Sequence, residues 1–403
     1  MTPAPDWTAF DWLIAPLDRA TFLEEVWERG PQAIHRADPG YFSSLVGRAD
    51  VDTIARTIRV RPVEADQQLQ ELRVVRFIDG EPQSEPVVAD ADGSPNLYQL
   101  YRSYAAGWSV ILASLSERWP PITSLCARLE TALHHPMTAC LYLTPPEAQG
   151  FPAHHDTVDV FIVQVEGTKA WRVYPPSREL PPVDAPLHYL TLSADRAQDV
   201  RLDAGDVLYV PRGWIHEART SAAPSLHVTL GVQVTRWSDL LIDVVTAVAE
   251  GDVRLREAAP PGYLHADRGL GDRLRGLLAE LAEVDEGALD RAIDRAAQRF
   301  LGAAHSTVGG HFVSLDELPA LTLDSQVQIV SALCRVAGDG DGVSLQLPGR
   351  RVRYPRSVEP ALRHLASGQP SAVDALAGGL SDDAKLVLVR RLVRDGVVRV
   401  VPG

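Results

Sequence analysis

The stretch FPAHHDTVDVFIVQVEGTKAWRVYPP, Phe151–Pro176, decides the fold. Its centre, TVDVFIVQV, is apolar and rich in β-branched residues, and AWRVY follows the turn signal Glu166-Gly167-Thr168. Two strands are predicted here, Val158 to Val165 and Ala170 to Tyr174. Segments on either side have the same character: Cys140 to Leu143, Val207 to Val210 ahead of Pro211, and Leu226 to Val234. Several short strands separated by Gly, Pro and Asp turns predict an all-β barrel or double-sheet jelly roll. The region lacks the βαβ alternation of a doubly wound fold.

Further out the pattern is helical. Residues 17–30 form one predicted helix, with Thr21 and Glu24 as a capping box. Residues 118–135 form another, led by Pro120-Pro121. After Trp237 a helix is predicted with Ser238 as N-cap, and PPGYLHADRG breaks it. Leu270 to Leu281 and Leu289 to Phe300 give two more apolar stripes. Such stripes need a partner surface, either the barrel or a second subunit. In the last stretch VSLQLPGRRVRY reads as a strand pair. SVEPALRHLAS, SAVDALAGG and SDDAKLVLVRRLVRDG read as three helices, and VVRVV as a strand. That pattern is compatible with a winged-helix module. The expected organisation is an α+β multidomain chain: 1–237 a barrel domain with an N-terminal helical elaboration, 238–311 helical, and 312–403 winged-helix-like.

Composition restricts the function classes. The 403 residues are 45% hydrophobic and 23% charged, an ordinary globular profile. No apolar run is long enough for a membrane span, and the N-terminus shows no secretory leader pattern. Three scattered cysteines, Cys126, Cys140 and Cys334, exclude a disulfide framework and predict a reducing, cytoplasmic setting. A net charge of −14 argues against direct nucleic-acid binding. Residues 343–403 run the other way, with ten Lys/Arg against five Asp/Glu. That local charge is read as a solvated face of a protein-interaction module.

His154 and Asp156 are two apart, so on an extended chain both side chains project to one face. His216, in AGDVLYVPRGWIHEA, follows a strand, a Pro turn and a Gly, which can present it at a barrel mouth. Two imidazoles and one carboxylate on one face leave adjacent coordination positions open, the facial triad of non-haem Fe(II) oxygenases. Those positions suit a bidentate 2-oxo acid such as 2-oxoglutarate, together with O2. The distal carboxylate of that cosubstrate needs a cation, and Lys169 supplies one on the strand after the turn. Tyr142 could add its hydroxyl, or could be a core tyrosine. His227 competes with His216 as third ligand and is assigned a supporting place beside the pocket. His134, His135 and His188 read as surface or loop histidines. His35, His265, His305, His311 and His364 carry no partner pattern.

The segments TPPEAQGFPAHHDTVDVFIVQVEGTKAWRVYPP, GDVLYVPRGWIHEA and SLHVTLGV resemble the JmjC-type ribosomal oxygenases, a cupin-superfamily family of Fe(II)- and 2-oxoglutarate-dependent protein hydroxylases. The resemblance implies a double-stranded β-helix core, a central helical dimerisation region and a C-terminal winged-helix-like domain, hence a homodimer. It places the metal ligands, which are also the catalytic residues, on His154, Asp156 and His216, and cosubstrate binding on Lys169 and Tyr142. It implies hydroxylation of an Arg or His side chain in a ribosomal protein. Two positions depart from the pattern. Cys140 stands where many relatives have Asn, and His155 where an aromatic residue separates the ligands. The Cys140 departure keeps a specialised-metabolism peptide or a small molecule open as the target, and the same chemistry also suits N-methyl demethylation.

Overall fold

The computed structural model describes residues 6–60, 71–183, 192, 196–263 and 269–401. The chain divides into one compact unit that ends at Val234 and another that begins at Thr235. His188 and His265 lie outside the described residues.

The strands of the first unit are β1 (Gln32–Ile34), β2 (Leu72–Ile78), β3 (Glu81–Glu85), β4 (Ser109–Leu112), β5 (Met137–Thr144), β6 (His154–His155), β7 (Asp159–Tyr174), β8 (Gln198–Asp203), β9 (Val207–Val210), β10 (Ile215–Arg219) and β11 (Ser225–Val232). One antiparallel path runs β1-β9-β7-β11-β5-β4-β2-β3. The C-terminal half of β7 pairs instead with β8 and β10, and β10 also pairs with β6. The all-β expectation for this region therefore holds, and the core is built on one strand shared by two sheets.

That sharing corrects the turn read at Glu166-Gly167-Thr168. The two predicted strands are a single 16-residue strand. Gly167 adopts φ +71°, and the pairing register with β11 shifts between Leu226 and His227. A bulge of this kind bends a strand and lets it change sheets. A Cβ on Gly167 would lie 1.9 Å from the carbonyl oxygen of Pro224. Gly167→Ala is therefore expected to lose about 2 kcal/mol or more, from the left-handed backbone and the clash together. A urea denaturation midpoint equal to the parent's would contradict this.

The first half of β7, Asp159–Val165, is buried on both faces, which explains its largely apolar run, whereas the second half alternates buried and exposed residues. Phe161 and Val163 face the N-terminal helical layer and pack with Phe10, Leu13, Phe22, Phe42 and Tyr209. Phe22 stacks on Phe161 with ring centroids 5.7 Å apart. Val160 and Ile162 face the other way and join Trp171, Val173, Leu202 and Leu208. Helix Pro120–Leu133 matches its predicted span, with proline at the first turn. The helix expected over 17–30 is shorter. It runs Arg19–Thr21 and continues as a wider π-turn over Phe22–Val26. Its cap is Asp18, whose carboxylate accepts from the Thr21 N–H at 3.0 Å, so Thr21 lies inside the helix.

In the second unit, helices Trp237–Gly251, Leu270–Leu281 and Glu286–Ala303 appear where the apolar stripes place them. The first is capped at Arg236, not Ser238. The Asp239 carboxylate reaches back to the Arg236 N–H at 2.9 Å. Asp243 and Arg299 join the first and third helices by a two-pronged ion pair at 2.7 and 2.9 Å. Beyond them come β12 (Gln326–Ile329), β13 (Arg335–Asp339), β14 (Gly342–Leu347), β15 (Arg350–Pro355), β16 (Ser371–Ala372) and β17 (Val398–Val400). With helices Glu359–Leu365 and Asp382–Arg394 they enclose a core that includes Val327, Val343, Leu362, Val389, Leu392 and Val398. The β14–β15 pair matches the strand pair read from VSLQLPGRRVRY. SAVDALAGG is not a helix. Ser371 and Ala372 pair with β12, and Gly378 and Gly379 both take positive φ. Among the described residues no helix is long and apolar enough to cross a membrane.

Candidate active site

Side chains alternate across a sheet, so one face of β2, β4, β5 and β11 lines a common space. Arg73 lies opposite Ile111, Ile111 opposite Tyr142, and Tyr142 opposite His227. All four border one cavity of about 280 Å³, with Ser109, Thr144, Thr229 and Ile162 from the same sheet. Lys169, Trp171, His216 and Glu217 close it from the other sheet, and Phe151, His154 and Asp156 border it from the segment between β5 and β7.

The triad is brought together by strand pairing. Strand β10 runs antiparallel to β6, with His216 directly opposite His154. Residues opposite in this way hold their Cβ atoms about 5 Å apart. The turn before β10 is fixed from two sides. The Gly213 N–H donates to the Asp156 carbonyl at 2.9 Å. Buried Asp159 accepts from the Arg212 N–H and the Arg212 guanidinium, both at 3.0 Å, and from the Tyr209 hydroxyl at 2.9 Å. One ligand atom from each of His154, Asp156 and His216 lies within 4.8 Å of the others. His216 Nε2 is 3.5 Å from Asp156 Oδ2.

Both imidazoles are oriented from behind. His154 Nδ1 is 2.9 Å from the Pro152 carbonyl oxygen, and His216 Nδ1 is 3.2 Å from that of Trp214. With Nδ1–H donating to these carbonyls, each Nε2 keeps its lone pair for a metal, the usual outer support of a histidine ligand. Burial and the neighbouring His154 push His216 down to about 4, against the pull of Asp156, so the ring is neutral near pH 7. The donor set of two neutral imidazoles and one carboxylate fits an Fe(II) ion with open positions.

Lys169 is buried at 6% exposure, and its ammonium donates to Thr144 Oγ1 at 3.0 Å. Among the described residues that hydroxyl is its one hydrogen-bond partner. An ammonium carries three donors, so a carboxylate from a bound molecule fits the remainder. Burial lowers the Lys169 value to about 7. Tyr142 stacks face to face on His227, with centroids 4.7 Å apart, and burial raises its hydroxyl above the ordinary range. His227 lies outside the triad. It borders the same cavity, and burial together with Lys169 holds it neutral. His155 is absent from the cavity lining and from the triad. His135, read as a surface or loop histidine, stacks on Trp27 at 6.2 Å.

Thr144 and Arg73 were not picked out from sequence. Thr144 had a signal, since it stands two residues after Tyr142 and shares its face. Arg73 had none, because only the pairing of β2 with β4 and of β4 with β5 carries it to the cavity.

The JmjC domain family matches residues 118–240. The bifunctional lysine-specific demethylase and histidyl-hydroxylase NO66 of Drosophila persimilis is 32% identical over 305 residues, covering 72% of this chain and 43% of that protein. Ribosomal oxygenase 1 of Danio rerio is 29% identical over 375 residues, covering 83% of this chain and 66% of that protein. The chain thus spans less than two-thirds of either relative. The structure of Escherichia coli YcfD matches with a TM-score of 0.57 at 19% identity, covering 96% of this chain and 98% of YcfD, a likeness of fold. YcfD, described as a ribosomal oxygenase, has also been solved with cobalt and 2-oxoglutarate. Strand pairing, cavity and sequence relatives agree: the chain carries a JmjC domain over residues 118–240 and is similar over most of its length to the ribosomal oxygenases.

Proposed function

We propose that the chain is an Fe(II)- and 2-oxoglutarate-dependent oxygenase that hydroxylates an Arg- or His-type side chain of a ribosomal protein. The observation that carries this reading is the single cavity that holds both the His154–Asp156–His216 cluster and the buried ammonium of Lys169. His154, Asp156 and His216 would hold the iron, and Lys169 with Tyr142 the distal carboxylate of 2-oxoglutarate. When bound, iron and cosubstrate supply the oxygen activation that hydroxylation of an unactivated C–H bond requires.

The chain's own residues do the rest. The Pro152 and Trp214 carbonyls fix the two ring planes and leave both Nε2 lone pairs to the triad. Thr144 holds the Lys169 ammonium in place, and Val160, Ile162 and Trp171 keep that wall apolar. Ion pairing in a water-poor wall is stronger than in solvent. The names of the relatives, histidyl-hydroxylase and ribosomal oxygenase, support a protein target. The reading extends to a cytoplasmic homodimer that pairs through the helical region 238–311 and carries a winged-helix-like module over 312–403. Several basic side chains of that module are already engaged: Arg363 with Glu359, Arg391 with Asp395 and Arg353 with Asp341, which favours a protein-interaction role over nucleic acid.

Cys140 favours one second reading, the same chemistry on a specialised peptide or small molecule, because it departs from the asparagine that the family resemblance implies there. Iron-loaded protein incubated with 2-oxoglutarate and ribosomal proteins of the source organism separates the two. The expected product carries the added mass of one oxygen atom on one side chain. Succinate release with no modified ribosomal protein transfers the target to the second reading.

A further inference from the structure

Among the described residues Arg73 borders the cavity as a cation without a counter-ion. Its Cζ lies over the Phe151 ring, 5.9 Å from the centroid, and its Nε is buried without a hydrogen-bond partner. Among the described residues no carboxylate pairs with it. The other charges bordering the cavity are engaged. Asp156 belongs to the triad, and Lys169 donates to Thr144. Glu217 accepts from the Tyr174 hydroxyl at 2.7 Å and the Gln149 amide at 3.2 Å. It also stands opposite Arg172 in the β10–β7 pairing. Arg73 shares its cross-strand row with Tyr142 and His227, so its charge belongs to the wall that an entering side chain must pass or touch.

We infer that Arg73 selects the charge class of the target, admitting a neutral, hydrogen-bond-accepting side chain such as an unprotonated imidazole and excluding a guanidinium or ammonium. This rests on the protein-hydroxylase reading and narrows it from an Arg-or-His target to the His type. The repulsive half of the selection is simple. A second guanidinium would have to shed water beside the first with no free carboxylate to compensate, and like charges in a confined site repel. The attractive half uses the free N–H groups. Guanidinium donates only, so its complement must bring an acceptor. The imidazole lone pair does so at no cost in charge.

The test begins with the full-length iron-loaded protein, 2-oxoglutarate and ribosomal proteins of the source organism, with the oxidised residue located by tandem mass spectrometry. The peptide around that residue is then made in two forms, with His or Arg at the target position. Product formed on each is normalised to the succinate released without peptide, which reports iron and cosubstrate loading. The expected result is oxygen on a histidine and a strong preference for the His peptide. In Arg73→Glu that preference should fall by about 10- to 100-fold, the worth of a hydrogen bond to a charged group. Arg73→Gln, which keeps length and one donor, should fall between the two and controls for a folding defect. An oxidised arginine or lysine in the parent's product, or a His-to-Arg preference unchanged in Arg73→Glu, overturns the inference and leaves the oxygenase reading standing. Absence of succinate release from the parent overturns that reading, and this inference with it.

Discussion

Asp156→Ala is expected to abolish metal binding and, with it, all 2-oxoglutarate-dependent turnover. The argument starts from charge. His154 and His216 are neutral ligands when their Nδ1 hydrogens point to the Pro152 and Trp214 carbonyls, so Asp156 brings the triad's one negative charge. Outer-shell supports of a metal site are each worth about 10- to 100-fold in affinity, and loss of an anionic ligand exceeds that. Co(II) affinity, followed by visible absorption, should therefore fall by more than about 100-fold. The fold should survive, because Asp156 is one-third exposed in its side chain and ties the Gly213 turn through its backbone carbonyl, which Ala keeps. His227→Ala separates the two candidates for third ligand. That variant should retain Co(II) affinity within about tenfold, since His227 is not a member of the cluster. Tight Co(II) binding by Asp156→Ala, or its loss in His227→Ala alone, would relocate the metal.

The uneven legibility of the site follows from how each residue reaches the cavity. His154 and Asp156 were readable because a period of two is a local property of extended chain. His216 was readable because Pro211 and Gly213 announce the turn that returns it to the same mouth. Lys169 was identified across a turn that is in fact a bend. A glycine at positive φ serves a hairpin or a bulge equally, and the local sequence does not choose between them. The choice is made by the Pro224 carbonyl, packed where a Cβ would stand. Arg73 and Ser109 illustrate the opposite limit. Which residues of β2 and β4 face the cavity depends on the register against β5, and a one-residue slip would turn both away. SAVDALAGG failed for a related reason. Its spacing suits a helix, but Ser371 and Ala372 gain pairing partners on β12 that local propensity cannot anticipate.

Lys169→Met should weaken 2-oxoglutarate binding by about 100-fold or more, because removing one member of a buried ion pair leaves the other charge desolvated and unpaired. A 2-oxo acid without the distal carboxylate should bind parent and variant alike, which ties the loss to that contact. The same substitution should stabilise the ligand-free protein, and its pH dependence has a defined sign. Burial lowers Lys169 to about 7 in the folded chain, against about 10.4 in the unfolded chain. Between those values the unfolded state holds the extra proton, so parental stability rises with pH through that window. Below it the folded state carries the full cost of a buried ammonium. The Met variant lacks this cost, so its advantage in denaturation midpoint should be largest below pH 7 and fade towards about pH 10.4. Cosubstrate binding reverses the effect of burial. A carboxylate beside the ammonium favours the charged form, so binding at pH 8 should take up a proton. Calorimetry in buffers of different ionisation enthalpy would detect that uptake in the parent, and Lys169→Met should lack it. Equal proton uptake in both proteins, or an unchanged affinity in the variant, would mean that the distal carboxylate is held elsewhere in the cavity.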